Sequence, residues 1–541
     1  MTEESTATTR RELREQRERA GRHGRAASRP SDVRNDIPGD LPPDHRSESR
    51  GGDPADVAGG RSRTTRRSEH PGHSRHSRPR DSRTTHSRTR PLRHAAARLL
   101  GGPWGIPGLW LLTHVLVGGG FLARFGPDTA RWNGLLVAEP TAYLTGLGQL
   151  GRIPFDRVLP ELPVPTVRLL EGLSVLTGGS RTGFLVAIAG IAVAADLTVL
   201  VLLLVSRSAG PIAAAYWALA VPLVGPVAYA RLDLAVVAVI AVAWVLAPRR
   251  PGWAGAALGL ACALALWPVL VLLPVLSRAT AGARRRLLLG YAALLALAVA
   301  VTVPAGGWGR LGTPITRGLA SGLQVESVPA TPALVDVAIE PGRHTASVIG
   351  GELVVRGTWV SGLLTVSVAL VVVAVALAVA LGVAGLRGGL KGQGEEIRSS
   401  QSRSGAERRR SRGRRDAGVR RSALIATAGL LALLVASRLL AAEFLLWPLP
   451  LLAVLAARRS GPAPWAALGV AALTQLDYPY LFYGLYLPSA PGFDLATAAV
   501  LARNAGLVWL TGWAVLAAVR DVTTSAPGRG SRGIRPVARG Q

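Results

Sequence analysis

Apolar stretches long enough to cross a bilayer recur along this 541-residue chain from Trp104 onward, and that recurrence decides the fold class. In hydrocarbon every backbone N–H and C=O must be satisfied within the segment, so such stretches fold as helices. They run 104–123, 184–205, 211–229, 232–246, 287–303, 359–386, 423–441, 444–456, 465–476 and 496–518. Several are too short to cross upright. With 49% hydrophobic and 18% charged residues, the composition is that of a polytopic membrane protein and not of soluble domains in series. The expectation is an all-α bundle of about 10–12 membrane helices.

Residues 1–93 are rich in Arg, Ser, Thr, Pro, Gly and His and poor in aromatic and branched apolar side chains, so they read as a disordered tail. Arg-rich runs such as RSRTTRRSEH lack interleaved aromatics, which argues against nucleic acid and for attraction to anionic lipid, roughly 1 kcal/mol per basic residue near the surface. The first apolar segment starts only near Leu99, and no cleavable signal peptide is expected. The single cysteine, Cys262, sits in an apolar run, leaving no intramolecular disulfide or thiolate metal cluster.

Charge also sets the expected orientation. Residues 94–386 read as a first membrane module, 387–421 as a basic loop, 422–520 as C-terminal membrane helices and 521–541 as a second disordered tail. The loop carries 12 basic against 4 acidic residues, and the positive-inside rule assigns it to the cytoplasm with Arg98, Arg207, Arg249, Arg284, Arg458 and Arg520. Both termini are then cytoplasmic in a multi-pass protein of the cell membrane. Basic residues flank both ends of 253–276, and Pro268 and Pro274 interrupt it. It reads as two short helices that enter and return, or as a single broken span. Three segments are left outside: 124–181, 304–358 and 477–494.

Ionisable residues in those outer segments, near membrane level, are the candidates for chemistry. Asp128, just after the first span, is placed to act as a general base or to cap a helix start. Asp156 and Glu161 lie among prolines in GRIPFDRVLPELPVP, suited to a pocket wall or to a solvated loop. Arg231 and Asp233 open a span in RLDLAVV, where Arg offers a phosphate-binding fork or an interfacial anchor. Arg310, Arg317, Gln324, Glu326 and His344 add cations and hydrogen-bonding groups suited to a phosphate and a sugar.

Together these segments resemble the polyprenyl-phosphate-dependent mannosyltransferases of glycosyltransferase family 87, in the GT-C superfamily, as found in actinobacteria. The resemblance covers roughly 104–520 and rests on Asp128 after the first span, GRIPFDRVLPELPVP, the stretch from RLDLAVV to ALALWP, GLQVESVPATP, and more weakly QLDYPYLFYGLY followed by RNAGLVWLTGWA. The chain has Leu162 and Val164 where family members commonly have Tyr and Pro, Trp267 where a Lys precedes the Pro, and Ser321 where an Arg precedes the Gly of GLQVES.

What the resemblance implies is a GT-C-like bundle that transfers a sugar, mannose in the family, from a polyprenyl-phosphate donor to a lipid or glycan acceptor with inversion. Asp128 would be the catalytic base, Arg231, Arg317 and His344 would bind the donor phosphate, and Asp156, Glu161, Asp233, Gln324 and Glu326 the substrate. No cofactor is expected and a divalent ion is left open; membrane lipids are partners and nucleic acid is not. Two rivals stand beside this reading: a catalytically inactive scaffold of the same family, and a transporter of lipid-linked glycans.

Overall fold

The computed structural model describes residues 102, 104–122, 127–206, 209–340, 343–349, 352–399, 405–486 and 494–524. The tail expected at 1–93 lies outside these residues, as does 525–541 of the tail expected at 521–541, whose first residues instead complete the last helix, Leu495–Thr523. In chain order the helices are α1 (Gly105–Leu122), α2 (Pro127–Leu147), α3 (Val164–Leu176), α4 (Arg181–Val205), α5 (Pro211–Val224), α6 (Asp233–Leu246), α7 (Pro251–Leu264), α8 (Leu272–Arg278), α9 (Ala281–Gly306) and α10 (Gly309–Ala320). Then come β1 (Leu323–Gln324), α11 (Thr331–Ile339), β2 (His344–Ile349), β3 (Glu352–Gly357), α12 (Val360–Ser399), α13 (Gly405–Ala436), α14 (Leu449–Ala457), α15 (Ala463–Gln475), α16 (Phe482–Tyr486) and α17 (Leu495–Thr523).

Five helices, α4, α9, α12, α13 and α17, contain apolar spans of 21 to 29 residues, and several shorter apolar helices pack among them. This is a helical membrane protein. Lipid-facing surface explains why Leu111 and Val115 of α1, Leu289 and Leu297 of α9, and Val372 and Val373 of α12 are exposed. The core lies between α4 to α7 and α13 to α15, where Trp217, Tyr216, Leu234 and Leu258 are fully buried.

Local chemistry places the helix ends. Ser180 Oγ caps α4 by accepting from Gly183 N at 3.3 Å, and Asp494 Oδ1 caps α17 by accepting from Thr497 N at 2.7 Å. Gly210 and Gly225, at φ 77° and 97°, bracket α5, which starts on Pro211.

Close glycine packing settles the course of residues 251–306. A Cβ on Gly255 would meet Leu287 O at 1.8 Å, one on Gly259 would meet Tyr291 O at 2.7 Å, and one on Gly290 would meet Gly252 O at 2.1 Å. Numbers rise together on the two helices, so α7 and α9 run parallel with backbones touching, as small residues allow in membranes. Both therefore start at the same end of the bundle. The chain between them, through a 3₁₀ turn at Trp267–Val271 and α8, must come back to that end, as expected of a segment that enters and returns. Gly255→Leu is predicted to overpack this seam and destabilise the protein by about 1–3 kcal/mol or more, read as a lower unfolding temperature in detergent; an unchanged temperature would contradict the packing.

Residues 304–358 hold a small element that the all-α expectation did not include. A three-stranded antiparallel sheet, in the order β1-β3-β2, pairs Leu323 with Val355 and His344 with Gly357. Short strands separated by a helix give weak alternation in sequence, which is why they read as loop. Position 357 accepts only glycine, since a Cβ there would lie 1.9 Å from His344 Cδ2.

Candidate functional site

The short helices determine where the polar residues gather. α5, α6, α14 and α15 have 14, 14, 9 and 13 residues, hence lengths of roughly 14–21 Å against a hydrocarbon thickness of about 30 Å. At one end their neighbours are arginines: Arg249 and Arg250 after α6, Arg458 and Arg459 after α14. At the other end lie Arg231, Asp233, Glu443 and Asp477. The polar residues thus gather at the end of these short helices opposite their arginines.

Arg231 is buried, and its Nε lies 2.7 Å from Glu139 Oε2 and 3.2 Å from Glu443 Oε1. Its Nη1 donates to the carbonyls of Leu136 at 3.0 Å and Ala230 at 3.3 Å, and Nη2 donates to none of the described residues. Tyr143 Oη donates to Glu139 Oε1. Asp233 Oδ1 accepts from Trp447 Nε1 at 2.7 Å, and the Trp447 ring stacks on Trp267 at 4.5 Å with planes 11° apart. Trp267 thus backs this network through Trp447.

Beside it lies a second buried network. Arg503 of α17 donates from Nη1 to Asp477 Oδ2 at 2.7 Å, from Nη2 to Glu326 O, and to Asn504 Oδ1 at 3.1 Å from Nη2 and 3.3 Å from Nε. Its Nη1 is also 3.5 Å from Glu326 Oε1. Glu326 Oε1 and Asp477 Oδ1 are buried and accept a hydrogen bond from none of the described residues. Gln324 Nε2 donates to Glu326 Oε2 at 3.2 Å, Gln324 Oε1 accepts from Leu440 N at 2.7 Å, and Gln324 N donates to Arg438 O at 3.0 Å. Arg438 Nη1 in turn donates to Leu319 O at 2.7 Å and Ser321 O at 3.2 Å. In this way the GLQVES strand is pinned to the segment after α13. Tyr478 separates the two networks and feels the charges of Arg231, Glu443 and Glu326. Two guanidiniums therefore face five carboxylates.

Of the residues anticipated from sequence, Arg231, Asp233, Gln324 and Glu326 come together here. Asp156 and Glu161 do not: they are exposed, on a loop whose carbonyls at Val158, Leu159 and Pro160 accept from buried Arg310 at 3.3, 2.8 and 2.9 Å. Arg317 is exposed on α10. His344 is buried in β2, its Nδ1 2.5 Å from Asp336 Oδ2, under the Trp359 ring. Asp128 is the second residue of α2, eleven positions or roughly 16 Å along the helix from Glu139; its side chain lies outside the described residues.

Sequence reasoning did not single out Glu139, Glu443, Asp477 or Arg503. The available signal was an ionisable residue inside or at the edge of an apolar run, as in LLAAEFLLWP and VLARNAGLV. The same signal marks Asp196 in the middle of α4. It is fully buried and accepts from Trp217 Nε1 at 2.6 Å, Trp110 Nε1 at 2.8 Å and Tyr229 Oη at 2.9 Å, with His114 Nε2 at 2.8 Å. His114 Nδ1 faces Trp110 O at 2.6 Å, so the ring, held at Nε2 by Asp196, ties α1 to α4. Among the described residues, no group of three or more His, Cys, Asp or Glu side chains is arranged to hold a metal ion. No family model, curated protein or solved structure matches this chain.

Proposed function

We propose that this protein is an integral membrane glycosyltransferase that moves a sugar, mannose by the family it resembles, from a polyprenyl phosphate to a lipid or glycan acceptor at the outer face of the cell membrane. One observation carries the reading. Four segments scattered through the sequence, RLD at 231–233, GLQVES at 322–327, QLD at 475–477 and RN at 503–504, meet in one buried, carboxylate-rich region. Interlocked, hydrogen-bonded carboxylates suit the hydroxyls of a sugar, and their place within a helical membrane bundle suits a donor whose carrier stays in the bilayer.

In the reaction, an acceptor hydroxyl oxygen attacks the anomeric carbon as the bond from that carbon to the phosphate oxygen breaks. Asp128 takes the hydroxyl proton, and the lipid phosphate leaves with the bonding pair. Arg231, through its uncommitted Nη2, and Arg317 at the rim are the cations for that leaving group. Gln324 and the Glu326–Asp477 pair hold the sugar. His344, tied to Asp336, serves the sheet that supports GLQVES.

The reading is tested by giving purified, reconstituted protein labelled polyprenyl-phosphate mannose and a panel of envelope lipids. A labelled lipid product is expected; donor that stays intact with every acceptor would favour the scaffold. Orientation is tested separately. In a Cys262→Ser background, a cysteine at Ser321 should react with an impermeant maleimide from outside and one at Arg410 should not; the reverse pattern would put the carboxylate network on the wrong side.

A further inference from the structure

The helix that leads into the GLQVES strand carries its apolar side chains outward. Trp308, just ahead of α10, and Leu311, Ile315 and Leu319 on it recur at helical spacing along one face, and all four are exposed. Arg310 and Arg317 stand on the other face. Arg310 is buried against the carbonyls of Val158, Leu159 and Pro160, while Arg317 is exposed. The protein thus holds α10 by its polar side and leaves the apolar stripe uncovered.

What covers the stripe follows from where α10 lies. From Leu287, next to Arg284, Arg285 and Arg286, to its end at Gly306, α9 rises roughly 30 Å, one hydrocarbon thickness. Leu297 and Val301 near that end are still exposed to lipid, and the chain turns off at Gly307, φ 74°. Trp308 therefore stands at the membrane boundary, the level where exposed tryptophans collect. The other end of α10 is fixed at the same side. α9 and α13 start together, since Arg284 Nε donates to Leu276 O at 3.2 Å and the next residue, Ser277, hydrogen-bonds Ser422 of α13 at 2.7 Å. They consequently finish at the same side, and there Arg438, just past α13, receives the carbonyls of Leu319 and Ser321 at the end of α10. With both ends tied to the ends of spans on one side, α10 runs along the boundary and not across the bilayer.

We propose that α10 is an interfacial helix, with Trp308, Leu311, Ile315 and Leu319 bedded in lipid at the membrane boundary to a depth of about 5–10 Å. The stripe takes over where the lipid-facing surface of α9 ends, so the same bilayer covers both. Through α10 the bilayer also supports β1, which follows it, and the loop of Asp156 and Glu161, which Arg310 holds on the polar side. This surface uses none of the carboxylate network and stands whether or not the protein transfers sugar.

The test places a bimane label on Leu311→Cys, Ile315→Cys or Arg317→Cys in the Cys262→Ser full chain, in phosphatidylcholine nanodiscs whose two faces both meet solvent. Labels on Leu311→Cys and Ile315→Cys should be quenched most by phosphatidylcholine carrying a nitroxide near its headgroup, less by one carrying it deep in the acyl chain, and least by aqueous iodide. The label on Arg317→Cys should be quenched most by iodide. Four outcomes would each overturn the proposal: iodide quenching at Ile315→Cys equal to that at Arg317→Cys, which would put the stripe in water; no quenching there by either agent, which would mean that a second copy or another protein covers it; strongest quenching by the deep nitroxide, which would mean that the helix crosses the bilayer; or failure of Leu311→Cys and Ile315→Cys to fold, which would mean that the stripe packs inside the protein.

Discussion

Replacing Arg503 with leucine is expected to destabilise the protein by about 3–5 kcal/mol, enough to leave little of it folded. The side chain is 1% exposed and ties α17 to Asp477, to the Glu326 backbone and to Asn504. Without it, two carboxylates stay buried with no cation, and a carbonyl loses its donor. Asp477→Asn in the Arg503→Leu background removes one of those charges and should return part of the loss, with a coupling of roughly 0.5–3 kcal/mol between the two sites. Size-exclusion profiles and unfolding temperatures of the two single variants and the double variant measure this. A well-folded Arg503→Leu protein would mean that the network does not hold α15, α17 and the GLQVES strand together.

Membrane helices were legible in the sequence because the bilayer imposes length and apolarity segment by segment. The stretches at 184–205 and 496–518 match α4 and α17 to within a few residues. Where the reading differs, tertiary contacts decide. Ala423–Ala441 was expected as the start and end of one span, yet the helix begins at Gly405 and stops at Ala436, because the chain beyond it turns to hydrogen-bond Gln324 through Leu440 N. Phe444–Ala456 starts not as α-helix but with a 3₁₀ turn, Ala442–Leu446, which sets Glu443 against Arg231. At the site, Arg231 and Glu326 could be singled out as charges next to apolar runs, whereas their partners could not be, since Arg231 lies 212 positions from Glu443 and no periodicity links them. His344 could not be separated from phosphate binders by residue type. Its pairing with Asp336 eight positions earlier depends on the turn into β2.

The second large effect is expected at Asp128. Asparagine keeps the size of aspartate in the first turn of α2 and removes its charge and basicity. A structural aspartate there is worth about 0.3–1 kcal/mol of stability through the helix dipole, and its loss leaves turnover per folded molecule nearly unchanged. A positioned general base is worth on the order of 10²–10⁴ in rate. Asp128 lies about three helical turns along α2 from the Glu139 that pairs with Arg231. Glu326→Gln should show a smaller loss of rate, since Gln324 and Asp477 remain to hold the sugar.

The most direct measurement is sugar transfer per folded molecule from labelled polyprenyl-phosphate mannose, for the parent and for Asp128→Asn, in the same liposomes. The account predicts a parent that transfers, and an Asp128→Asn protein that inserts and unfolds like the parent and transfers at least about a hundredfold more slowly. Equal transfer by the two would contradict it and move the search for the base to Glu326 and Asp156.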